Sequence, residues 1–342
     1  MQPFETLGYN EQLARLTESA GVALRSYGYP DSAFHSVAYI NNAVFEVHTP
    51  DGGHFALRLH RPGHKRLEWI KSELVWLEAI CRDTSLCVPH PIQSMNAEPI
   101  VYAPVEGLSE PIVCTLFDWI EGDFEGIDTL SLPRVREVGK YLSRLHRYSM
   151  SFDPPAGFTR PRLDENALSG VESAYNPGAG AALFTDEHRR TFQQVEERVR
   201  NVMRELSSSK ESFGLIHADF LMKNILFKGE EICAIDFDDC SWGYFLYDLA
   251  PLMLQFKDEP RYPELRDTLW EGYTAHRALP DAYRAYVETF VAARDMFSCW
   301  WVAGNLHNPR IRERAPELIS YRVAELQRFL ETGSISQQGD IF

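Results

Sequence analysis

The sequence predicts an α+β, bilobal protein: a small lobe built on an antiparallel sheet with one inserted helix, then a larger, mainly helical lobe. Three observations carry this. Residues 34–60 and 97–117 are rich in β-branched and aromatic residues, with the inserted segment 66–81 at helical period. Beyond residue 124 the helical period dominates. Between helices, the mostly apolar stretch "GLIHADFLMKNILFKGEEICAIDFDDCSWGYFLYDLA" carries His217, Asp219, Asn224, Asp236, Asp238, Asp239 and Asp248. A core strand pair has no packing use for so many carboxylates, because a buried charge is costly unless paired, hydrogen-bonded or metal-bound.

The elements follow in order. "NEQLARLTESAGVALRSYG" reads as a helix ending near Gly28 and Pro30. "FHSVAYINNAVFEVHTPDGGHFALRLHRP" reads as antiparallel strands split by the turn "TPDGG". In "RLEWIKSELVWLEAIC", Leu67, Ile70, Leu74, Leu77 and Cys81 recur at helical spacing. "EPIVYAPVEGLSEPIVCTLFDWIEGD" returns to strand chemistry and ends in an acidic connector. Residues 1–117 are therefore expected as the first lobe, 118–123 as a hinge and 124–342 as the second lobe. There Val135, Val138, Tyr141, Leu142 and Leu145 form an apolar stripe. Residues 151–184, rich in Pro and Gly, read as a loop or lid. "TDEHRRTFQQVEERVRNVMREL" is an amphipathic helix capped by Thr185 or Asp186, and three or four helices are expected from 245 to 331.

The chain has 342 residues, 44% of them hydrophobic and 24% charged, an ordinary globular composition long enough for more than one core. No apolar run is long enough to span a bilayer and the first residues lack a signal-peptide pattern, which points to a cytoplasmic protein. The six cysteines show no CxxC or metal spacing, and most sit in apolar surroundings as free thiols do. The formal charge of −15, without a basic cluster, argues against nucleic acid. It suits a cationic small molecule or a metal-bridged phosphate, or serves solubility alone. The histidines at 35, 48, 54, 60, 64 and 90 are scattered without ligand spacing, so no zinc site is expected.

"NILFKGEEICAID" reads as a hairpin turning at Lys228–Glu231. Centred near Glu230, it places Asn224 and Asp236 opposite each other at the open end. An amide oxygen beside a carboxylate suits Mg²⁺, which takes few protein ligands and keeps water and phosphate oxygens. Asp219 precedes the hairpin closely enough to act on a hydroxyl, and His217 holds the connecting loop through its ring nitrogens.

The spacing H-x-D-x₄-N followed by a D-F pair matches the phosphoryl-transfer template of kinase-like folds. With "YINNAVFEV", "ALRLHRPG", "SELVWLEAI", "VGKYLSRLHRYS", "IHADFLMKNILF" and "IDFDDCSWGYFLYDLA", nearly the whole chain resembles the aminoglycoside phosphotransferase and choline kinase family, which has a protein-kinase-like fold. It is also similar to homoserine kinases and bacterial stress-response kinases. The resemblance implies ATP and Mg²⁺ as cofactors and a small-molecule hydroxyl as acceptor. It implies Asp219 as catalytic base, Asn224 and Asp236 as metal ligands with Asp238 as a further one, and Asp248 as a structural acid.

In "HFALRLH", Phe55, Leu57 and Leu59 alternate with Ala56, Arg58 and His60, so Arg58 points away from the core face. The family usually has lysine at this position, on the nucleotide phosphates; arginine also meets phosphate oxygens, in a different geometry. Glu73 is the expected partner of Arg58, with Glu68 and Glu78 as rivals. Asn41 and Asn42 occupy the place of a phosphate-covering loop, or form an ordinary turn. The backbone of about 116–119 resembles the adenine-pairing hinge. Phe297, Trp300 and Trp301 form either an acceptor wall or core, and Arg160 and Arg162 an anion clamp or inert surface charges. The reading is an ATP- and Mg²⁺-dependent phosphotransferase acting on an aminoglycoside, choline-like or other amino-alcohol acceptor. The alternatives are a stress-response-type protein Ser/Thr kinase, a regulatory pseudokinase and, more distantly, a metal-dependent phosphohydrolase.

Overall fold

In the computed structural model, residues 3–169, 176–306 and 308–336 are described. The chain divides into two compact units, Met1–Glu121 with Pro154–Thr159, and Gly122–Asp153 with Arg160–Phe342.

The first unit opens with α1 (Tyr9–Ser26) and continues with β1 (Ala33–Tyr39), β2 (Ala43–His48), β3 (His54–Leu59), α2 (Leu67–Asp83), β4 (Pro91–Ile92), β5 (Ile100–Ala103) and β6 (Ile112–Asp118). The strands form one antiparallel sheet in the order β1-β2-β3-β6-β4, with β5 also on β6. Strict alternation explains its two faces. Phe45, Val47, Leu57, Leu59, Cys114 and Leu116 enter a core with Leu16, Ala20, Ala23 and Leu24 of α1. Glu46, His48, His54 and Arg58 fall on the other face by the same alternation.

The second unit holds α3 (Leu132–Ser151), β7 (Arg162–Leu163), α4 (Asp186–Leu206), β8 (Phe213–Ile216), β9 (Ile225–Lys228), β10 (Glu231–Ala234), β11 (Ser241–Tyr244), α5 (Ala250–Phe256), α6 (Tyr262–Thr274), α7 (Tyr283–Gly304) and α8 (Pro309–Thr332). Thr185 caps α4 by accepting a hydrogen bond from the His188 N–H at 3.2 Å. Glycines set the contact of α3 with α6. A Cβ at Gly139 or Gly272 would lie under 3.0 Å from backbone of the facing helix, at Leu269 and Arg136 respectively. The α+β expectation holds, as do the N-terminal helix, the helix inserted in the sheet and four α-helices after residue 245 among the described residues.

The sequence reading did not resolve the small sheet β7-β11-β8, whose strands are two to four residues long. Within 151–184, residues 154–159 join the first unit, where the Thr159 N–H donates to Ser72 Oγ at 2.9 Å, and residues 170–175 lie outside the described residues. Cys81, Cys114, Cys240 and Cys299 are free thiols; Cys87 and Cys233 are not, which corrects the expectation for these two. Among the described residues no helix is long and apolar enough to cross a membrane.

Candidate active site

The polar cluster of the second unit is built on the loop between β8 and β9. Its alternating sequence explains its shape: Phe220 and Met222 turn inward and anchor the loop, with Phe220 against the rings of Tyr141 and His217. Asp248, itself fully buried, accepts hydrogen bonds from the backbone N–H of His217 and of Ala218, both at 2.7 Å. Those bonds hold Ala218 at φ +68°, a left-handed conformation that costs a residue with a Cβ about 1–2 kcal/mol. The turn at Ala218 presents Asp219.

Two histidines support this loop. Burial pushes His146 below its ordinary imidazole range, although Asp248 opposes that shift. Its Nε2 lies 3.0 Å from Asp248 Oδ2 and its Nδ1 2.9 Å from the Tyr273 hydroxyl. An acceptor-only carboxylate requires the proton on Nε2, so Nδ1 accepts from Tyr273. His217 follows the same logic. Its Nε2–H donates to the Ile235 carbonyl at 2.9 Å, and its Nδ1 accepts the Asp219 N–H at 3.3 Å. The ring thus ties the loop to the segment after β10.

Asn224 Nδ2 donates to the Asp219 carbonyl at 2.8 Å and to Asp219 Oδ2 at 3.2 Å. Both residues are buried. Two cations share the carboxylate: Arg294 of α7, through Nη2 to Oδ1, and Lys223, whose Nζ lies 3.6 Å from Oδ2. Arg294 was not anticipated. Its available signal was the charged pair Arg294–Asp295 inside the otherwise apolar "TFVAARDMFSCWW".

The hairpin register differs from expectation by one residue. The two-residue turn Gly229–Glu230, with Gly229 at φ +59°, pairs Lys228 with Glu231 and Ile225 with Ala234. Ile235, not Asp236, then lies opposite Asn224, and its N–H donates to the Asn224 carbonyl at 2.9 Å. Asp236 follows one residue beyond the ladder, exposed and at φ +62°, so its direction is set by a left-handed turn rather than by strand alternation. Asp238 is buried in the 3₁₀ turn that follows. Arg160 braces this turn: its buried guanidinium donates to the carbonyls of Cys240 at 2.5 Å and Asp238 at 2.7 Å. Arg160 is thus neither an anion clamp nor an inert surface charge, and Arg162 pairs with Asp164 at 2.5 Å. Phe297 and Trp300 are core, in tilted and edge-on contacts with Tyr247 and Phe192, and of the proposed aromatic wall only Trp301 is exposed.

In the first unit, Arg58 Nη2 lies 2.6 Å from Glu73 Oε1, and its guanidinium sits 4.9 Å above the Phe117 ring. Both members of the pair are buried, whereas the rivals Glu68 and Glu78 are exposed. Asn42 Oδ1 accepts the Arg61 N–H at 3.2 Å, and Asn41 lies beside it in the turn between β1 and β2.

The donor set suits a hard divalent cation. With Nδ2 of Asn224 committed to Asp219, its Oδ1 is the atom left to ligate, and the acids nearest in sequence to the ladder's end, Asp236 and Asp238, add oxygen only.

A sequence-family model described as "Phosphotransferase enzyme family" matches residues 39–286. An amicoumacin kinase of Bacillus subtilis (strain 168) is 22% identical over 323 residues, 91% of each chain. Two solved structures are similar in fold. A microcompartment-associated aminopropanol kinase is 24% identical with a TM-score of 0.80, covering 93% of this chain and 99% of its own. An amicoumacin kinase in complex with AMP-PNP, Ca²⁺ and Ami is 17% identical with a TM-score of 0.77, covering 97% of this chain and 98% of its own.

Proposed function

This chain belongs to the phosphotransferase enzyme family and has a protein-kinase-like fold, and from that premise we propose that it moves the γ-phosphate of ATP to the hydroxyl of a small, cationic amino alcohol. The observation that carries the reading is the meeting of Asp219 and Asn224 on a loop whose backbone is fixed by Asp248. Phosphoryl transfer leaves the protein mainly positioning and charge neutralisation to do, and this loop is built for positioning.

Asp219 is the base. Asn224 and Arg294 each engage one of its oxygens, which fixes the carboxylate plane, and a remaining lone pair receives the acceptor's hydroxyl proton. Mg²⁺ would be held by Asn224 and Asp236, with Asp238 as a further oxygen donor; when bound it neutralises charge on the phosphate oxygens. Arg58 serves the nucleotide phosphates, with Glu73 fixing its guanidinium. Asn41 and Asn42 supply amides over the nucleotide from the turn before β2. The amino-alcohol class is supported by relatives named for aminopropanol and amicoumacin, and by the formal charge of −15. A cytoplasmic location fits ATP as donor.

The test is a metabolite pool incubated with protein, labelled ATP and Mg²⁺, read by mass for a compound that gains a phosphoryl group. Asp219→Asn should abolish that gain while melting like the parent. Transfer at parental rate by Asp219→Asn would remove the assignment.

A further inference from the structure

The face of the first unit's sheet turned away from its α1 core gathers residues that sequence spacing scatters. The register pairs His35 with Glu46 across β1 and β2, and His48 with His54 across β2 and β3. Glu46 and His48 are two apart on one strand, so all four side chains share one face. Glu46 Oε1 lies 3.1 Å from His48 Nε2 and 2.9 Å from His54 Nε2, while Oε2 lies 3.3 Å from His35 Nε2. His54 is held on three sides. Its ring stacks between those of His48 at 4.2 Å and Trp119 at 4.6 Å, and its Nδ1 lies 2.9 Å from Glu121 Oε1.

The hydrogen-bond roles here do not close with neutral side chains. Glu121 is acceptor-only, so the Nδ1 of His54 carries the proton. Its Nε2 then presents a lone pair to Glu46, also acceptor-only. A cation shared by His54 Nε2 and Glu46 closes these roles. The same cation is within reach of His48, since Nε2 of His48 and Nε2 of His54 both lie against Glu46 Oε1.

Distance and chemistry select the cation. A tetrahedral centre with metal–ligand bonds of about 2.0–2.1 Å spaces its ligand atoms roughly 3.3 Å apart. The Glu46 contacts of 2.9 and 3.1 Å need to open by only tenths of an ångström, and all three ligand atoms lie within 4.8 Å of one another. Two imidazoles with one carboxylate favour zinc-class ions over Mg²⁺, which prefers all-oxygen sites. Glu121 on the far nitrogen of His54 is the supporting carboxylate that such histidines commonly have.

We propose that Glu46, His48 and His54, with Glu121 orienting His54, form a binding site for a zinc-class divalent ion. The ion clips β2 to β3 and to the segment at Trp119–Glu121, and His35 steadies the second oxygen of Glu46. The three ligands are distinct from the residues assigned to nucleotide and acceptor, although Trp119 belongs to the hinge segment and Arg58 shares the sheet face.

The test uses tag-free, chelator-stripped, nucleotide-free protein titrated calorimetrically with Zn²⁺ in excess Mg²⁺, and with Co²⁺ read by its visible absorption. One equivalent should bind, quench no more than a minority of the tryptophan signal, and raise the melting temperature. His48→Ala and His54→Ala should each weaken Zn²⁺ binding at least about 100-fold, and Glu121→Gln about 10- to 100-fold. Melting of the metal-free variants checks folding; should His54→Ala not fold, His48→Asn and Glu121→Gln carry the test. Absence of Zn²⁺ binding by the parent, or parental affinity in the folded variants, overturns the proposal.

Discussion

Replacing Asp248 tests whether one buried carboxylate holds the catalytic loop in shape. It accepts from His217 N–H at 2.7 Å, Ala218 N–H at 2.7 Å and His146 Nε2 at 3.0 Å. A hydrogen bond to a charged group contributes about 1.5–3 kcal/mol, so the gross loss in Asp248→Ala is about 4–9 kcal/mol. Release of Ala218 from its left-handed conformation returns about 1–2 kcal/mol. The net destabilisation should be about 3–8 kcal/mol, a large share of the roughly 5–15 kcal/mol that holds a domain folded. Asp248→Asn keeps the volume and one acceptor oxygen, but turns an NH₂ towards N–H donors; about 2–3 kcal/mol is expected. Urea unfolding reads the midpoint at constant slope, and turnover measured where the variant remains folded reads Asp219's placement. An Asp248→Asn protein within about 0.5 kcal/mol of the parent, a shift ordinary for a surface change, would refute this account of the loop.

The remaining predictions concern the same unit and the first unit's ion pair. His146 is held neutral by burial, so its folded pKa lies below the ordinary 6.5. As pH falls through 6.5 the unfolded chain takes up a proton that the native state refuses, and stability drops by up to about 1.4 kcal/mol per pH unit until the folded pKa is reached. His146→Gln should lack that slope, so the difference between the two stability curves should change across this range; parallel curves would count against it. Arg294→Met should lower kcat about 100-fold, near 2.7 kcal/mol, with Arg294→Lys recovering part, and turnover within twofold of the parent would show that the ion pair to Asp219 is idle. Glu73→Gln should weaken ATP binding and cost about 3 kcal/mol of stability by leaving Arg58 buried without its carboxylate; calorimetry and melting check both. Gly272→Ala, which gains about 1 kcal/mol in an open helix, should instead lose about 1–3 kcal/mol because its Cβ meets the Arg136 backbone.

Most of the fold was legible because its signals are local. The periods of α1, α2, α3 and α4 and the turn residues between strands sit within a few positions of one another. The short strands β7, β8 and β11 were not, since two to four residues carry too little alternation and their pairing partners lie far away in sequence. The hairpin shows the limit at finer grain. "KGEE" announces a turn, but only the left-handed Gly229 fixes its centre half a residue before Glu230, and that moves the residue opposite Asn224 from Asp236 to Ile235.

The residues whose bracing role sequence did not give share one property: each reaches the candidate site from a separate element as a polar group with little exposure to solvent. Arg294 comes from α7, His146 from α3 and Arg160 from the segment before β7. In sequence they look like ordinary members of amphipathic helices or a loop. Yet a charge on an apolar helix face is costly unless something on another element receives it, so each such residue announces a partner without naming it. The acids of the loop were the matching half of that account. Reading the two sets together, buried cations in α7 and before β7 against surplus carbonyls and carboxylates between β8 and α5, would have predicted the bracing before its geometry was known. The same reasoning on the first unit's sheet exposes the histidine cluster: three imidazoles and Glu46 on strands that antiparallel pairing must bring face to face, with Glu121 just beyond β6. What sequence spacing hides there is distance along the chain, and hairpin register removes it.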